Sequence, residues 1–147
     1  MVADHVLRRL HRARDRMHDG YADVLTIDDL ASDAKMSSFH FLREFTRAFG
    51  TTPRKYLSEL RLDRARDLMV RGKSATEACH EVGFSSLGSF STAFTARFGC
   101  SPRAFQRQMR VFASVPHKLV SLYVPTCFAG FWAGESNRGE VSPKRSS

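Results

Sequence analysis

The chain is 147 residues long, enough for one compact domain or two small subdomains sharing a core, and its 42% apolar and 26% charged residues are ordinary for a globular protein. Lys and Arg number 23 against 15 Asp and Glu, a formal +8; such a field attracts polyanions but also serves as a solubilising surface, so charge alone leaves both readings open. The N-terminus is interrupted by Arg8, Arg9, Arg12, Arg14 and Arg16, and the apolar stretches near 119–124 and 127–133 fall far short of the ~20 residues of a membrane helix, which argues against secretion and membrane spanning.

Residues 2–18 place Val6, Leu7, Leu10, Ala13 and Met17 at helical spacing, predicting an amphipathic helix ended by Gly20. Thr26 with Asp29 reads as an N-cap and its acidic partner, opening a short helix to about Ala34. Ser37 or Ser38 caps the next helix, which carries Phe41, Phe45, Ala48 and Phe49 to a stop at Gly50. Thr52-Pro53 starts a long helix running to about Arg71, with Tyr56, Leu57, Leu60, Ala65, Leu68 and Met69 as its expected buried stripe. Ser74 with Glu77 forms a second capping box, for a helix ending near Val82-Gly83. A helix from about Ser86 to Phe98 stops at Gly99, and Ser101-Pro102 starts another through about Arg110. No segment to that point alternates apolar and polar residues as a strand would.

The halves repeat. Phe41, Phe45, Phe49, Gly50, Thr52, Pro53, Arg54 and Tyr56 recur 49 residues later as Phe90, Phe94, Phe98, Gly99, Ser101, Pro102, Arg103 and Phe105. A short helix, a tight turn and a second helix is the helix-turn-helix plan, although a helical repeat that binds protein has the same periodicity. A connecting helix of roughly 19 residues spans about 28 Å against ~34 Å for one turn of B-DNA, which favours two units entering successive major grooves.

Arg61-Leu62-x-x-Ala65-x-x-Leu68-Met69, Ser74-x-x-Glu77, Val82-Gly83-Phe84-Ser85 and Phe90-x-x-x-Phe94-x-x-x-Phe98-Gly99-x-Ser101-Pro102 together resemble the AraC/XylS regulators. Leu30-Ala31 to Gly50-x-x-Pro53 agrees with the same pattern. The resemblance covers about residues 3–110 and implies a seven-helix domain that binds promoter DNA and often touches RNA polymerase. The expected fold is all-α: two helix-turn-helix subdomains joined by a long central helix, homeodomain-like, with a short apolar C-terminal extension. Its parts are a DNA-binding domain over 1–110 (first unit about 26–50, linker about 53–71, second unit about 74–99), the extension over 111–134 and a disordered tail over 135–147.

At 100° per residue from Phe41, Phe45, Ala48 and Phe49 cluster as the core face, while Phe39, Arg43 and Thr46 face away, flanked by Leu42 and Arg47. Phe39, Leu42 and Arg43 match the family's base-reading positions. Arg43 could grip guanine O6 and N7 with both prongs, or hold a phosphate or stay solvated; Phe39 and Leu42 offer apolar contact to thymine methyls, or packing at the rim. In the second unit the outward positions are Gly88 and Thr92, flanked by Ser91 and Thr95, and the resemblance makes Gly88, Ser91 and Thr92 the base-reading candidates. Family members often carry Arg where this chain has Thr92. Leu87 stands where the family may place a base contact, but its angle favours burial. The expected reader is therefore asymmetric: the first unit specifies, and the second grips the backbone. Ser38, His40, Arg47, Ser85, Ser86, Ser89 and Arg97 are the phosphate-contacting candidates.

Ala75 and Ala78 replace the family's large aliphatics and Cys79 its Ala, so the second unit is expected to be the less stable, with Cys79 a small buried apolar residue. Cys79, Cys100 and Cys127 match no disulfide or zinc spacing, which fits a reducing cytoplasm, and His40 has no second ligand nearby, so no cofactor or metal is expected. Residues 111–134 are too apolar for a free tail and are expected to pack on the core, with Lys118 to Val124 a candidate strand, or else to form a partner surface.

The resemblance implies a bacterial, cytoplasmic, nucleoid-associated regulator of double-stranded promoter DNA, an activator or a repressor, with RNA polymerase as a further expected partner; if the chain is complete it is expected to bind as a monomer, as small stand-alone family members do. It is not an enzyme: methyl-accepting repair proteins share such a domain, but Cys100 and Cys127 lack the base or zinc that chemistry needs. The alternatives are a DNA-binding module of a larger regulator or repair protein, and an architectural protein with little sequence preference.

Overall fold

The computed structural model describes residues 4–114. Over that span the chain forms seven helices and no strand: α1 (Asp4–Asp19), α2 (Ile27–Asp33), α3 (Ser38–Phe49), α4 (Pro53–Val70), α5 (Ala75–Glu81), α6 (Leu87–Phe98) and α7 (Pro102–Ser114). The start signals act as their chemistry requires. Thr26 and Ser74 accept the backbone N–H of Asp29 and Glu77, whose carboxylates accept the cap residues' own N–H at 3.0 and 2.8 Å. Those hydrogen bonds hold both carboxyls below the usual range. Ser37, Ser86 and Thr52 cap α3, α6 and α4 by accepting the N–H of His40, Ser89 and Lys55, with no carboxylate in return. Gly50 and Gly99 end α3 and α6 at φ of 71° and 75°, a left-handed conformation that glycine adopts without strain.

The side chains bury into two clusters. Leu10, Ala13 and Met17 of α1 meet Leu30 and Ala31 of α2, Ala34 just beyond it, Phe41 and Phe45 of α3 and Leu57 of α4. Leu62, Ala65 and Met69 of α4 meet Ala78 and Cys79 of α5, Val82, Phe90 and Phe94 of α6 and Phe105 of α7. The sequence repeat is repeated in the ring geometry. Phe41–Phe45, Phe45–Phe49 and Phe45–Tyr56 stand at 5.5, 4.6 and 5.7 Å, and Phe90–Phe94, Phe94–Phe98 and Phe94–Phe105 at 5.5, 4.5 and 5.7 Å. Each fully buried Phe or Leu contributes roughly 1.5–3 kcal/mol, so Phe41, Phe45, Phe90 and Phe94 each add stability of that order.

Two expectations change at this level. The stripe on α4 is not continuous: Leu62, which it omitted, is buried, while Tyr56, Leu60 and Leu68 are only partly so. The helix serves two cores. Pro53, Tyr56, Leu57 and Leu60 centre on one face, and Leu62, Ala65, Leu68 and Met69 on another roughly 140° away at 100° per residue. α7 continues past Arg110 to Ser114, because no Gly or Pro stands there to stop it. Residues 111–114, expected to begin the apolar extension, are instead the end of α7, and the rest of the extension, its candidate strand, the disordered tail and Cys127 lie outside the described residues.

Candidate nucleic-acid interface

Each half is a seven-residue helix, a short turn and a twelve-residue helix: α2 with α3, and α5 with α6. The capping boxes and the core positions Leu30, Ala31 and Ala34 recur 48 residues later, at Ala78, Cys79 and Val82, whereas the following helices and prolines recur at 49. The second turn is therefore one residue longer. It bends at Gly83, with φ of 88°, where the first bends at Lys35, with φ of 52°.

On α3 the expected outward residues do face outward. Phe39 is 75% exposed and Leu42 36%, and Arg43, Thr46 and Arg47 are exposed as well. An exposed Phe on a helix leaves apolar area in water that a partner surface would remove. Arg43 does not wave freely: its Nε donates to Glu44 at 3.3 Å, and its Nη2 lies 3.4 Å from Nδ1 of half-buried His40. Ser38 donates its hydroxyl to Asp28 of α2, so it ties the two helices and has less to offer a phosphate. Thr46 donates to the Leu42 carbonyl.

On α6, Gly88, Ser89, Thr92 and Thr95 are exposed and Ser91 half-buried. Thr92 and Thr95 bond back to the carbonyls of Gly88 and Ser91 at 3.0 and 2.8 Å, which satisfies their hydroxyls within the helix. Ser86 serves as N-cap and donates to Ser89 Oγ at 2.9 Å; Ser85 is exposed beside it. Leu87 is a correction. The expectation of burial fails because Leu87 opens the helix, where side chains lean toward the N-terminus, and it is 45% exposed.

Arg97, a phosphate-contacting candidate, is tied to α4. Its guanidinium grips Asp63 of α4 through Nε at 3.1 Å and Nη2 at 2.8 Å, with Glu59 3.7 Å away. That two-pronged contact clamps α6 onto α4 and commits Nε and Nη2 of the guanidinium to Asp63.

Sequence reasoning missed Glu44 and this Asp63–Arg97 clamp. Glu44 is only 7% exposed, and the Arg43 guanidinium pairs with its carboxylate at 3.3 Å. Its spacing from Phe41 already placed it on the core face. Nothing in the spacing pairs Arg97 with Asp63, since the contact spans 34 residues. The effect of burying Glu44 is notable: α6 has no acidic residue, so neither α3 nor α6 exposes a carboxylate outward. Among the described residues no group of three His, Cys, Asp or Glu is placed to hold a metal, and no helix is long and apolar enough to cross a membrane.

Comparison with known proteins gives the same picture. A family model described as a helix-turn-helix domain matches residues 30–108. A transcriptional regulator from Chromobacterium violaceum with an AraC-type DNA-binding domain has a solved structure 34% identical to this chain, with a TM-score of 0.65 over 70% of this chain and 93% of that one. The DNA-binding domain of AdpA, solved with a target DNA, has the same fold at 24% identity, with a TM-score of 0.63 over 78% of this chain and 100% of that one. The transcriptional activator RhaS of Escherichia coli is 35% identical over 88 residues, 59% of this chain and 32% of its own length. An HTH-type regulator of Bacillus subtilis, YbfI, is 33% identical over 69 residues, 47% of this chain and 25% of its own. The chain thus matches between a quarter and a third of the length of these curated relatives.

Proposed function

The chain belongs to the AraC/XylS family of helix-turn-helix regulators and carries its DNA-binding fold, and from that premise we propose that it is a sequence-specific reader of promoter DNA that seats α3 and α6 in successive major grooves. The observation that carries this is the charge of the two outward faces. A chain with 15 acidic residues exposes none of them on α3 or α6, and a phosphate-lined groove would penalise any carboxylate placed there. The intervening α4 has 18 residues, about 27 Å of rise, which suits two units spaced near one duplex turn.

Specificity is assigned mainly to the first unit. Arg43, held by Glu44 and His40, is pre-aimed for a guanine edge, and Phe39 and Leu42 supply thymine-methyl contacts. In the second unit Leu87 offers the apolar contact, and Gly88, Ser91 and Thr92 allow close approach with little directional readout. His40, Arg47, Ser85, Ser89 and the amides at the start of α6 grip the backbone, with smaller shares from Ser38 and Ser86. Arg97 acts as a brace. In this reading the protein works in the bacterial cytoplasm, binds DNA as a monomer and contacts RNA polymerase; that it activates transcription is drawn from the name of its relative RhaS, a transcriptional activator.

The test is equilibrium binding to a duplex selected by the protein from random sequence, against a scrambled duplex, across a salt series. A preference of at least ~10³ is expected, persisting as salt rises. Equal affinity for both duplexes, or no binding at low salt, overturns the reading.

A further inference from the structure

The two units touch at a second place besides α4, and the contact is built with more care than a passing loop requires. Between α1 and α2 runs a loop over residues 20–26. Tyr21 in this loop packs against both hydrophobic clusters, with the Arg64 guanidinium 5.6 Å from its ring centre. Arg61, at the middle of α4, donates through Nε to the Tyr21 carbonyl at 2.6 Å and through Nη2 to the Asp23 carbonyl at 2.8 Å. Between those two carbonyls, the Ala22 backbone presses on Gly83 in the turn of the second unit. A Cβ on Gly83 would lie 2.5 Å from the Ala22 oxygen. Consecutive carbonyls from the first unit are thus held by α4 and by the turn that launches α6.

Resting on the DNA-binding reading above, we propose that this loop is a brace setting the angle and separation of α6 relative to α3, with Arg61 and Gly83 as positioning residues. Through it the protein accepts its two half-sites at one spacing only. The physical argument is that α4 alone is a poor ruler. Its two ends present different faces to the two cores, so a small rotation or bend of the helix would swing one recognition helix around the duplex. A second attachment, off the helix axis, removes that freedom. Guanidinium bonds to two backbone carbonyls are directional and charge-assisted, and the absent side chain at Gly83 lets the second backbone come close enough to be indexed by the first.

The experiment uses the full chain and the duplex it selects from random sequence, with one base pair inserted or deleted between the two contacted segments. One base pair shifts the second groove by about 3.4 Å and about a tenth of a turn. Wild type is expected to lose roughly ten-fold or more on either change, about what one mismatched base pair costs. Arg61→Gln is expected to bind the selected site more weakly but to lose less than about three-fold on re-spacing, and Arg61→Lys, with one point donor, to fall between them. Gly83→Ala is paired with Gly99→Ala. Both positions have positive φ and so carry similar backbone strain, but an added Cβ at Gly99 meets nothing within 4 Å. Gly83→Ala should flatten the spacing profile while Gly99→Ala leaves it steep.

A DNA-free readout separates this proposal from the functional reading. In hydrogen exchange, Arg61→Gln should speed exchange over residues 20–26 while α3 and α6 stay protected. Spacing profiles as steep in Arg61→Gln and Gly83→Ala as in wild type, or unchanged exchange in the loop, overturn the brace. Absence of DNA binding by wild type, with the loop still released by Arg61→Gln, overturns the DNA reading instead.

Discussion

Replacing Arg43 and Thr92 one at a time tests the unequal division of labour between the two units. Arg43 lies on the exposed face of α3, with its guanidinium 3.3 Å from Glu44. A two-pronged Arg–guanine contact discriminates by ~1–3 kcal/mol, so Arg43→Ala should cost about 5- to 150-fold at the matched base pair and little at others. Thr92 already donates to the Gly88 carbonyl at 3.0 Å, so a base contact must replace a satisfied bond. The net worth of such an exchange is at the low end of ~0.5–1.5 kcal/mol, and Thr92→Ala should cost about two-fold. The assay is equilibrium binding of each variant to a panel in which every base pair of the selected site is changed in turn. Thermal unfolding runs alongside, because Arg43 also compensates the buried Glu44, and leaving that carboxylate without its partner destabilises the fold more than losing an exposed pair would. Equal loss of discrimination from the two substitutions, or an Arg43→Ala loss spread evenly over all base pairs, refutes the argument.

Further expectations follow from the same geometry. Arg47→Ala should weaken binding to selected and scrambled duplexes alike and lower the slope of log affinity against log salt by about one, as for a single lost phosphate contact; a base-specific loss contradicts it. Leu30 is fully enclosed in the first core, so Leu30→Ala should cost roughly 2–5 kcal/mol in urea unfolding. Its counterpart Ala78 is small already, so α5 and α6 amides should exchange faster than those of α2 and α3; the reverse order contradicts a weaker second unit. His18 hydrogen-bonds the Tyr56 hydroxyl at 2.9 Å, and burial, with help from Arg14 and Arg64, lowers its pKa below 6.5. The unfolded chain therefore binds the proton first. The contribution of His18 is intact above pH 6.5 and declines as pH falls toward its folded pKa. His18→Gln should flatten that part of the stability–pH curve, and an unchanged curve would show that the group is not responsible.

The elements were legible because their signals are local. Thr26 with Asp29, Ser74 with Glu77, and Gly50 and Gly99 act within a few residues of chain, and a phenylalanine every four residues specifies one buried helix face wherever the helix ends up. The repeat then made two helix-turn-helix units readable, and the outward faces of α3 and α6 followed from 100° per residue. Leu87 was misplaced because helical angle takes no account of its place as the first residue of α6, where the side chain leans toward the open N-terminal end.

What needed the tertiary structure is everything decided by two distant segments meeting. The face of α4 that is buried changes halfway along because two cores lie on different sides of it, so no single stripe could be read from its sequence. Arg97 is spent on Asp63, and Arg61 on the carbonyls of Tyr21 and Asp23, across separations of 34 to 40 residues for which no sequence periodicity exists. Charge and spacing told which residues could reach DNA. Which of them are free to do so depends on the partners that folding brings within about 3 Å, the distance at which hydrogen-bond donors are committed.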